Sequence, residues 1–325
     1  MLIAVNYHYI RPAFDFKYPS IFGITPSKFR KQLEALSAFG TFVSQQDILN
    51  HLDGHSRLPQ NAIIITFDDG LAEQIDLALP ILQEMGIPAI FFLNTRVLVD
   101  SYVLNVHKIH LVRSEVSPVD LTKKVQLFLK KKQKFIDKTE YQEKAIFHYK
   151  YDQPDIAMLK YLLNFILTVE ERDELMETVF REVFDSEKLV HDNLYMNLSA
   201  IKKLASDGML GSHSHDHFPL GTLSSDQQEN QIGKSQQSLQ QLIGKKTQAF
   251  SYPYGSFEAC NAVGPLLEAD GFRFAFTMER AKNENLEKSL YLSRFDNNDM
   301  PLGKAWKHGD KNPFEILPSA QWKFD

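Results

Sequence analysis

The chain has 325 residues, of which 43% are hydrophobic, and this composition excludes a disordered protein and leaves room for a sizeable core. Its 36 basic residues are outnumbered by 41 acidic ones, and the formal charge of −5 argues against nucleic acid as the main partner. The single cysteine, Cys260, excludes an internal disulfide and a thiolate zinc cluster, so His and carboxylate side chains must hold any bound metal.

Strands and helices alternate in both outer parts of the chain. Helical spacing predicts one helix over 25–37 and a second over 71–85, which Pro80 could kink or start late. Six apolar runs bounded by turn residues predict strands, at 2–7, 62–67, 89–93, 209–212, 249–252 and 272–277. This alternation predicts an α/β protein with βα units around a mainly parallel sheet or barrel.

The middle of the chain, at 101–192, follows a different pattern. Strand signals are missing from this part of the sequence, and a capping box over 168–171 is followed by apolar residues at helical spacing. We therefore expect a single domain over 1–325 with a largely helical insertion at 101–192, which would form one wall of a cleft.

Two polar stretches are expected on the surface. Lysines cluster over 123–134, and such runs are usually solvated helix faces, although contact with an anionic substrate or peripheral contact with a membrane stays open. Glutamines are frequent over 227–241, which we expect to be an exposed helix. No run approaches the roughly 18 apolar residues of a membrane span, and the first residues lack the basic start of an export signal, so we expect a cytoplasmic location.

Two adjacent carboxylates, Asp68 and Asp69, follow the predicted strand 62–67 and precede Gly70. Catalytic and binding groups collect at the carboxyl ends of parallel strands. Neighbouring residues at a strand end point in different directions, so one carboxylate could bind a metal while the other acts as a base. The alternative is an ordinary turn whose aspartates cap a helix.

Three histidines, at 213, 215 and 217, follow the predicted strand 209–212. His213 and His217 converge on one point if a helical turn begins there, whereas all three share one face if the segment is extended. Together with Asp69, His213 and His217 would supply three ligands and leave positions open for water and substrate. His215 is the replacement ligand if the helical spacing is wrong, and an accidental surface cluster is the remaining alternative.

A third candidate motif, Tyr252-Pro253-Tyr254-Gly255, follows the apolar run that begins at residue 249. A turn of this kind can aim a backbone N–H at a developing oxyanion. Alone the signal is weak, because such turns are common.

In their order and at strand ends, the segments 66–70, 213–217 and 252–255 resemble the motifs of the polysaccharide deacetylase family, the NodB-homology domain of carbohydrate esterase family 4. The resemblance covers about 1–100 and 193–300. It implies a distorted (β/α) barrel of the NodB-homology type, which here would carry the largely helical insertion.

The resemblance also implies roles for individual residues. Asp69, His213 and His217 would bind a divalent metal, usually zinc. Asp68 would be the general base that deprotonates a metal-bound water, and the backbone N–H of Tyr254 would help to hold the oxyanion.

Two departures from the family pattern point to further residues. Ser251 stands where the family often has an arginine that orients the base, and Arg294 could reach the site from another strand. The family's acid, a histidine in a Leu-x-His motif near the C-terminus, is missing, but Tyr7-His8 resembles the N-terminal pair of circularly permuted exopolysaccharide deacetylases. His8 is therefore the candidate acid, with a hydrogen-bonded histidine at a strand end as the alternative.

These residues predict a metal-dependent hydrolase that removes N-acetyl groups from an amino sugar or oligosaccharide, releasing acetate and a free amine. The expected substrate is an intermediate of surface-polysaccharide synthesis. An iron oxygenase could use the same two histidines and one carboxylate, but it has no need of a base such as Asp68. A non-catalytic carbohydrate-binding protein that retains the fold and the metal site is the other alternative, which Ser251 and the missing C-terminal histidine would favour.

Overall fold

The structure is a computed structural model that describes residues 1–135, 138–148 and 152–324, so positions 136–137 and 149–151 of the expected insertion lie outside it. The chain forms two compact units. The first unit contains Met1–Ala13, Gly23–Tyr102 and the described residues from His191 onward, and the second contains Phe14–Phe22 and Val103–Val190. The segment Phe14–Phe22 groups with the helical residues although its sequence has no helical pattern. A single domain over 1–325 stays a prediction.

Ten strands are present in the described part of the chain, and all of them belong to the first unit. Their bounds are β1 Leu2–Tyr7, β2 Tyr9–Ile10, β3 Gly23–Ile24, β4 Thr41–Phe42, β5 Ala62–Phe67, β6 Ala89–Leu93, β7 Leu210–Ser212, β8 Ala249–Ser251, β9 Phe274–Phe276 and β10 Phe295–Asp296. The first three long predicted strands have the expected bounds. The last three are shorter than predicted, because buried residues such as Tyr252 and Phe272 continue the apolar pattern beyond the paired backbone.

The main sheet is parallel throughout and runs in the order β10-β1-β5-β6-β7-β8-β9, while β4 pairs with the start of β5. In register, Val5 of β1 lies opposite Ile65 of β5 on one side and Phe295 of β10 on the other. An isolated parallel bridge joins Phe276 of β9 to Leu292, just before β10, so the sheet curls round. The predicted distorted barrel is confirmed. A separate small sheet pairs β2 with β3.

Fifteen α-helices lie in the described ranges. Their bounds are α1 Pro26–Ser37, α2 Gln45–Leu52, α3 Leu79–Met85, α4 Arg96–Val99, α5 Asn105–Glu115, α6 Pro118–Lys131, α7 Lys138–His148, α8 Pro154–Tyr161, α9 Val169–Val183, α10 Glu187–Leu194, α11 Leu198–Ser206, α12 Ser225–Ile243, α13 Phe257–Cys260, α14 Gly264–Ala269 and α15 Pro313–Ile316. Of the predicted helices, 25–37 is confirmed, with Thr25 as its N-cap. The one at 71–85 is not continuous: a π-helical turn over Gln74–Ala78 precedes α3. Pro80 lacks an N–H and is tolerated in the first turn of a helix, so α3 starts immediately before it.

The core of the first unit lies on both faces of the sheet, as expected of a parallel sheet covered by helices. Along β1, Ile3 and Val5 pack with Leu33 of α1 and Leu82 of α3. The alternate residues point to the barrel interior, where a second buried cluster contains Leu2, Ala4, Ile64, Ile90, Phe92, Phe274 and Phe276. Because both faces are apolar, the polar residues at the strand ends are left to form a site.

The second unit is helical. The predicted capping box at the start of α9 is confirmed, because Thr168 and Glu171 exchange hydrogen bonds of 3.0 and 3.3 Å. Several lysines of the basic run form ion pairs, Lys124 with Glu182 and Lys132 with Glu174 among them, in agreement with a solvated face. Within residues 1–135, 138–148 and 152–324, none of the helices has both the length and the apolar character needed to span a bilayer.

The glutamine-rich helix is exposed on its outer side, as expected, but not on its inner side. Helix α12 buries Gln228, Gln231 and Gln236 on its inner side. Each amide finds polar partners there: Gln228 donates to the Leu220 carbonyl, and Gln236 both donates to and accepts from the backbone of Thr247. A buried glutamine is stable when its amide is hydrogen-bonded, so these residues join neighbouring segments to the helix.

Candidate active site

Four strands of the main sheet carry the predicted site residues at their ends, and β6 lies between the second and third of them. His8 follows β1, Asp68 and Asp69 follow β5, the histidine loop (residues 213–217) follows β7, and Tyr254 follows β8. The strands are parallel, so these ends lie at the same edge of the sheet. This is the edge at which parallel α/β proteins place their ligands.

Asp69, His213 and His217 converge on one point. The Oδ1 atom of Asp69 lies 3.6 Å from Nε2 of His213 and 3.5 Å from Nε2 of His217, and the three ligand atoms all lie within 4.8 Å of one another. All three side chains are almost fully buried. One carboxylate and two imidazoles so close together form a donor set that suits a divalent metal.

The histidines meet because the loop bends, and neither the helical turn nor the extended segment considered from the sequence is present. Ser214 and His217 have positive φ angles of 64° and 61°, and Asp69 has a φ of 76°. Such left-handed conformations are costly for residues other than glycine, and they persist where the surroundings hold the backbone in place. The strained backbone is therefore part of how the three ligands are aimed at one point.

Neighbouring groups hold the loop. Nδ1 of His213 lies 2.7 Å from the Ser251 carbonyl, which favours a proton on Nδ1 and leaves the Nε2 lone pair for a ligand. The amide of Asn94 donates to the His213 carbonyl. Gln231 makes two bonds to Asp216, accepting from its backbone N–H at 2.8 Å and donating to Oδ2 at 2.7 Å.

His215 points away from this set of ligands. Its Nδ1 lies 2.8 Å from the Thr95 hydroxyl, and the side chain is buried. Burial lowers the pKa of His215, so the ring is neutral at neutral pH. His215 therefore forms a hydrogen bond with Thr95, and His217 belongs to the candidate ligand set.

Asp68 is the most tightly held carboxylate of the site. Both its oxygens accept from the Arg294 guanidinium, at 2.9 and 2.7 Å, and Oδ2 also accepts from the amide of Asn6 at 2.9 Å. Burial by itself would raise the pKa of Asp68, but Arg294 and His213 outweigh it and lower the pKa to about 2. The carboxylate is thus ionised throughout the neutral range.

Arg294 comes from the segment just before β10 and is fully buried. Besides its two bonds to Asp68, it donates from Nη2 to the hydroxyl of Ser251 at 2.9 Å. Ser251, which stands in place of the motif arginine, therefore accepts a hydrogen bond from Arg294, which lies just before β10.

His8 and Tyr254 lie at the edges of the site. Nε2 of His8 is 3.9 Å from Oδ2 of Asp68, and its side chain is 37% exposed, so it can meet both the carboxylate and solvent. Tyr254 has a φ of 60°, and its ring, 46% exposed, packs edge-on against His217 with 5.0 Å between ring centroids. The structure thus brings every predicted site residue to this edge of the sheet.

The contacts that Asn6, Asn94 and Gln231 make in the site were not predicted from the sequence. Asn6 interrupts the apolar strand 2–7, and Asn94 directly follows the apolar strand 89–93, so a polar residue next to an otherwise apolar strand was the available signal. Gln231 gave no such signal, because its helix is polar over most of its length.

The fold is an α/β barrel with a possible Asp–His–His metal site at one edge of its sheet, and comparison with known proteins identifies the family. A family model described as polysaccharide deacetylase matches residues 55–134 and 185–273, together more than half of the chain. The chain belongs to the polysaccharide deacetylase family, which places it among the hydrolases of amide bonds other than peptide bonds, as an N-deacetylase.

Solved structures share this fold at low sequence identity. The Streptococcus pyogenes deacetylase PplD in complex with acetate aligns at 14% identity and a TM-score of 0.57 over 97% of both chains. A de-N-acetylase from Aggregatibacter actinomycetemcomitans aligns at 16% identity and a TM-score of 0.55, over 91% of this chain and 95% of the other. IcaB from Ammonifex degensii aligns at 19% identity and a TM-score of 0.51, over 90% of both chains.

A curated relative matches over a shorter stretch. The uncharacterized protein YlxY of Bacillus subtilis (strain 168) is 27% identical over 106 residues, which are 32% of this chain. The match spans only 33% of that relative's own length.

Proposed function

We propose that this protein is a metal-dependent deacetylase that removes the N-acetyl group from an amino sugar or oligosaccharide, releasing acetate and a free amine. The observation that carries the proposal is the position of Asp68. Oδ2 of its carboxylate lies 3.9 Å from Nε2 of His213, one of the three proposed ligands, and 3.9 Å from Nε2 of His8.

The three proposed ligands fit a tetrahedral ion such as zinc. Ligand atoms about 2.1 Å from a tetrahedral ion lie roughly 3.4 Å from one another. The two measured separations from Asp69 Oδ1, 3.6 and 3.5 Å, are close to this value. When bound, the ion supplies Lewis-acid polarisation of the acetyl carbonyl and acidifies a water molecule in the site.

Asp68 is the proposed base. Its charge is fixed at neutral pH, and the fork of Arg294 and the amide of Asn6 hold the carboxylate in one orientation. It accepts the proton of the attacking water. Arg294 positions Asp68 and does not touch the substrate in this mechanism.

His8 is the proposed acid, and the Tyr254 backbone is the proposed oxyanion donor. A protonated His8 delivers its proton to the amine nitrogen as the carbon–nitrogen bond breaks, since an amine is a poor leaving group without it. The Tyr254 N–H, in a turn of positive φ, would donate to the oxygen of the tetrahedral intermediate.

We infer that the substrate is a sugar intermediate of surface-polysaccharide synthesis and that the protein acts on it in the cytoplasm. The half-exposed ring of Tyr254 gives the edge of the site a flat apolar surface. This surface favours a ring-shaped substrate over an extended peptide.

Metal analysis and an acetate assay test the proposal. Purified protein should contain zinc and release acetate from N-acetylglucosamine oligomers, and Asp68→Asn should lower kcat by about 10³-fold with the metal retained. Asp207→Asn, on the surface and paired with Lys203, is the control. Zinc without acetate release would favour a carbohydrate-binding protein, whereas iron with oxygen uptake would favour an oxygenase.

A second variant tests the acid. His8→Ala should lower kcat on the sugar amide by about 10²-fold. Hydrolysis of 4-nitrophenyl acetate, whose leaving group needs no proton, should fall far less. Equal losses on both compounds would reject His8 as the acid.

A further inference from the structure

Two consecutive side chains, Glu73 and Gln74, reach from the start of the π-helical turn to the segment that carries His8. The buried amide of Gln74 donates from Nε2 to two carbonyls, that of His8 at 3.0 Å and that of Asp68 at 2.7 Å. One amide group thus ties the backbone of the candidate acid to the backbone of the candidate base.

Glu73 holds the same segment two and three residues further on. Its Oε1 accepts from the backbone N–H of Ile10 at 2.7 Å, and its Oε2 pairs with Nη2 of Arg11 at 2.5 Å. The two side chains together make contact at His8, Ile10 and Arg11. We refer to Glu73 and Gln74 as the bracket.

The segment needs such contacts because the strand pairing changes at His8. β1 ends at Tyr7 in the main sheet, and the two-residue strand β2 pairs with β3 in the separate small sheet. His8 lies between them, outside both named strands. A two-residue ladder holds a chain weakly, so other contacts must set where the His8 ring lies.

The π-helical turn lies directly at these residues: it covers Gln74–Ala78, and Glu73 is its N-cap. A π turn departs from regular helical spacing by one residue, and such turns are frequent at functional sites. A regular helix over 71–85, as the sequence predicts, has no such departure.

We propose that Glu73 and Gln74 are positioning residues that keep the His8 imidazole at its working distance from Asp68. The inference rests on the proposed function, in which His8 is the acid. Glu73 acts through the segment that follows His8, and Gln74 acts through the backbone carbonyls of both His8 and Asp68.

The test uses Glu73→Ala and Gln74→Leu. A second Glu–Arg pair in the same stretch provides the matched control: Glu84, 66% exposed in α3, bonds to Arg30 and is far along the helix from His8. Glu73→Gln is the conservative variant, since it keeps an acceptor for the Ile10 N–H. Glu73→Ala keeps the test available if Gln74→Leu, a buried change, fails to fold.

Turnover is measured on N-acetylglucosamine oligomers and on 4-nitrophenyl acetate. Displacement of an acid by about an ångström costs up to about 10²-fold, so the bracket variants should lower kcat on the amide by about 10- to 100-fold with KM nearly constant. Ester hydrolysis by Glu73→Ala should fall less than about threefold, because the ester needs no acid. Glu73→Gln should recover most of the amide activity, and Glu84→Ala should match the wild type.

A double-mutant cycle separates positioning from general damage. In the His8→Ala background, Glu73→Ala should lower kcat no further, because the group it positions is gone, whereas Gln74→Leu should keep the part of its loss that comes through the Asp68 carbonyl. For Glu73→Ala, the same loss with and without His8, or equal losses on amide and ester, would overturn the inference.

A readout independent of activity distinguishes this inference from the proposed function. If wild-type protein releases no acetate, the proposed function fails. The His8 signal in NMR spectra of histidine-labelled protein still reports on the bracket: it should move in Glu73→Ala and Gln74→Leu and stay in place in Glu84→Ala. A His8 signal that stays in place in all three variants would overturn the positioning role.

Discussion

Arg294 in the first unit and Lys108 in the second are both fully buried cations paired with carboxylates. Arg294 makes two parallel bonds to one carboxylate, Asp68, whose side chain is only 3% exposed. Lys108 pairs with Glu177 of α9 and Glu187 of α10, whose side chains are 30% and 25% exposed, and it also packs over the ring of Phe180.

The difference lies in the anion. The Glu177 and Glu187 carboxylates can be solvated in part, so the Lys108 cluster fastens helices together. Asp68 is removed from water, held by a planar fork and placed at a strand end beside two histidines, so its charge is available for chemistry. A buried cation therefore marks a reactive site when its partner is buried too and other reactive groups face it.

The largest expected effect comes from removing each cation in turn. Arg294→Met leaves the Asp68 charge buried and without its main partner, which should cost about 3–5 kcal/mol of stability and lower kcat by about 10²- to 10³-fold. Lys108→Met lets its partly exposed glutamates turn to water, which should cost about 1–2 kcal/mol and leave kcat within about twofold. Chemical denaturation and the acetate assay measure both. A comparable loss of turnover in Lys108→Met would break the comparison.

A rescue experiment sharpens this comparison of Arg294 with Lys108. Because Ser251 Oγ lies 2.9 Å from the Arg294 guanidinium, an arginine at 251 can bring a guanidinium to Asp68 from β8. We expect Arg294→Ser combined with Ser251→Arg to regain about tenfold in kcat over Arg294→Ser alone. Ser293→Arg in the same background is the control. No gain from either change would mean that the direction of approach matters more than the charge.

Loss of the hydrogen bonds that fix the histidine loop should have a smaller effect, which is on metal affinity. Gln231→Ala removes both bonds to Asp216 and should weaken zinc binding by about tenfold, as loss of an outer hydrogen bond around a metal site commonly does. Chelator competition measures the affinity. Gln236→Ala, which removes a buried amide of the same helix that bonds to Thr247, is the matched control and should not change it.

The smallest effect concerns pH and the Lys108 cluster. Partial burial raises the pKa of Glu177, but the bonds from Lys108 and Arg181 outweigh it and lower the pKa below its ordinary value. A lowered carboxyl pKa stabilises the folded state above the unfolded value of about 4.3, and this stabilisation is lost as the pH falls through the lower folded value. The protection factors of amide hydrogens in α5 and α9 should therefore fall more between pH 7 and pH 3.5 in the wild type than in Lys108→Met. Equal falls in both would contradict the role of the pair.

The parts of the fold that were predicted correctly are those in which local pattern and burial coincide. Strands 2–7, 62–67 and 89–93 are buried on both faces, so each is a mainly apolar run with a clear start and end. The buried side of α12 could not be predicted, because the partners of Gln236 and Gln228 are backbone groups that only the folded chain brings near. The π turn before α3 leaves no mark in the apolar spacing.

The site shows the same division. The resemblance of three short motifs was enough to group Asp69, His213 and His217, and the structure brings their ligand atoms together. The bend that aims them depends on positive φ angles at Ser214 and His217. Serine and histidine rarely adopt this conformation, so the sequence gives no sign of the bend. Arg294 could be named as a candidate but not placed, since it meets Asp68 across 226 residues of chain.

The strands β1 and β10 lie side by side, although Val5 is synthesised long before Phe295. Until residue 294 has left the ribosome, Asp68 has no guanidinium beside it and β1 has no neighbour on that side. Contacts between such distant residues also form late in folding. Under the proposed mechanism, the chain therefore stays inactive until residue 294 has been made and β10 can join the sheet.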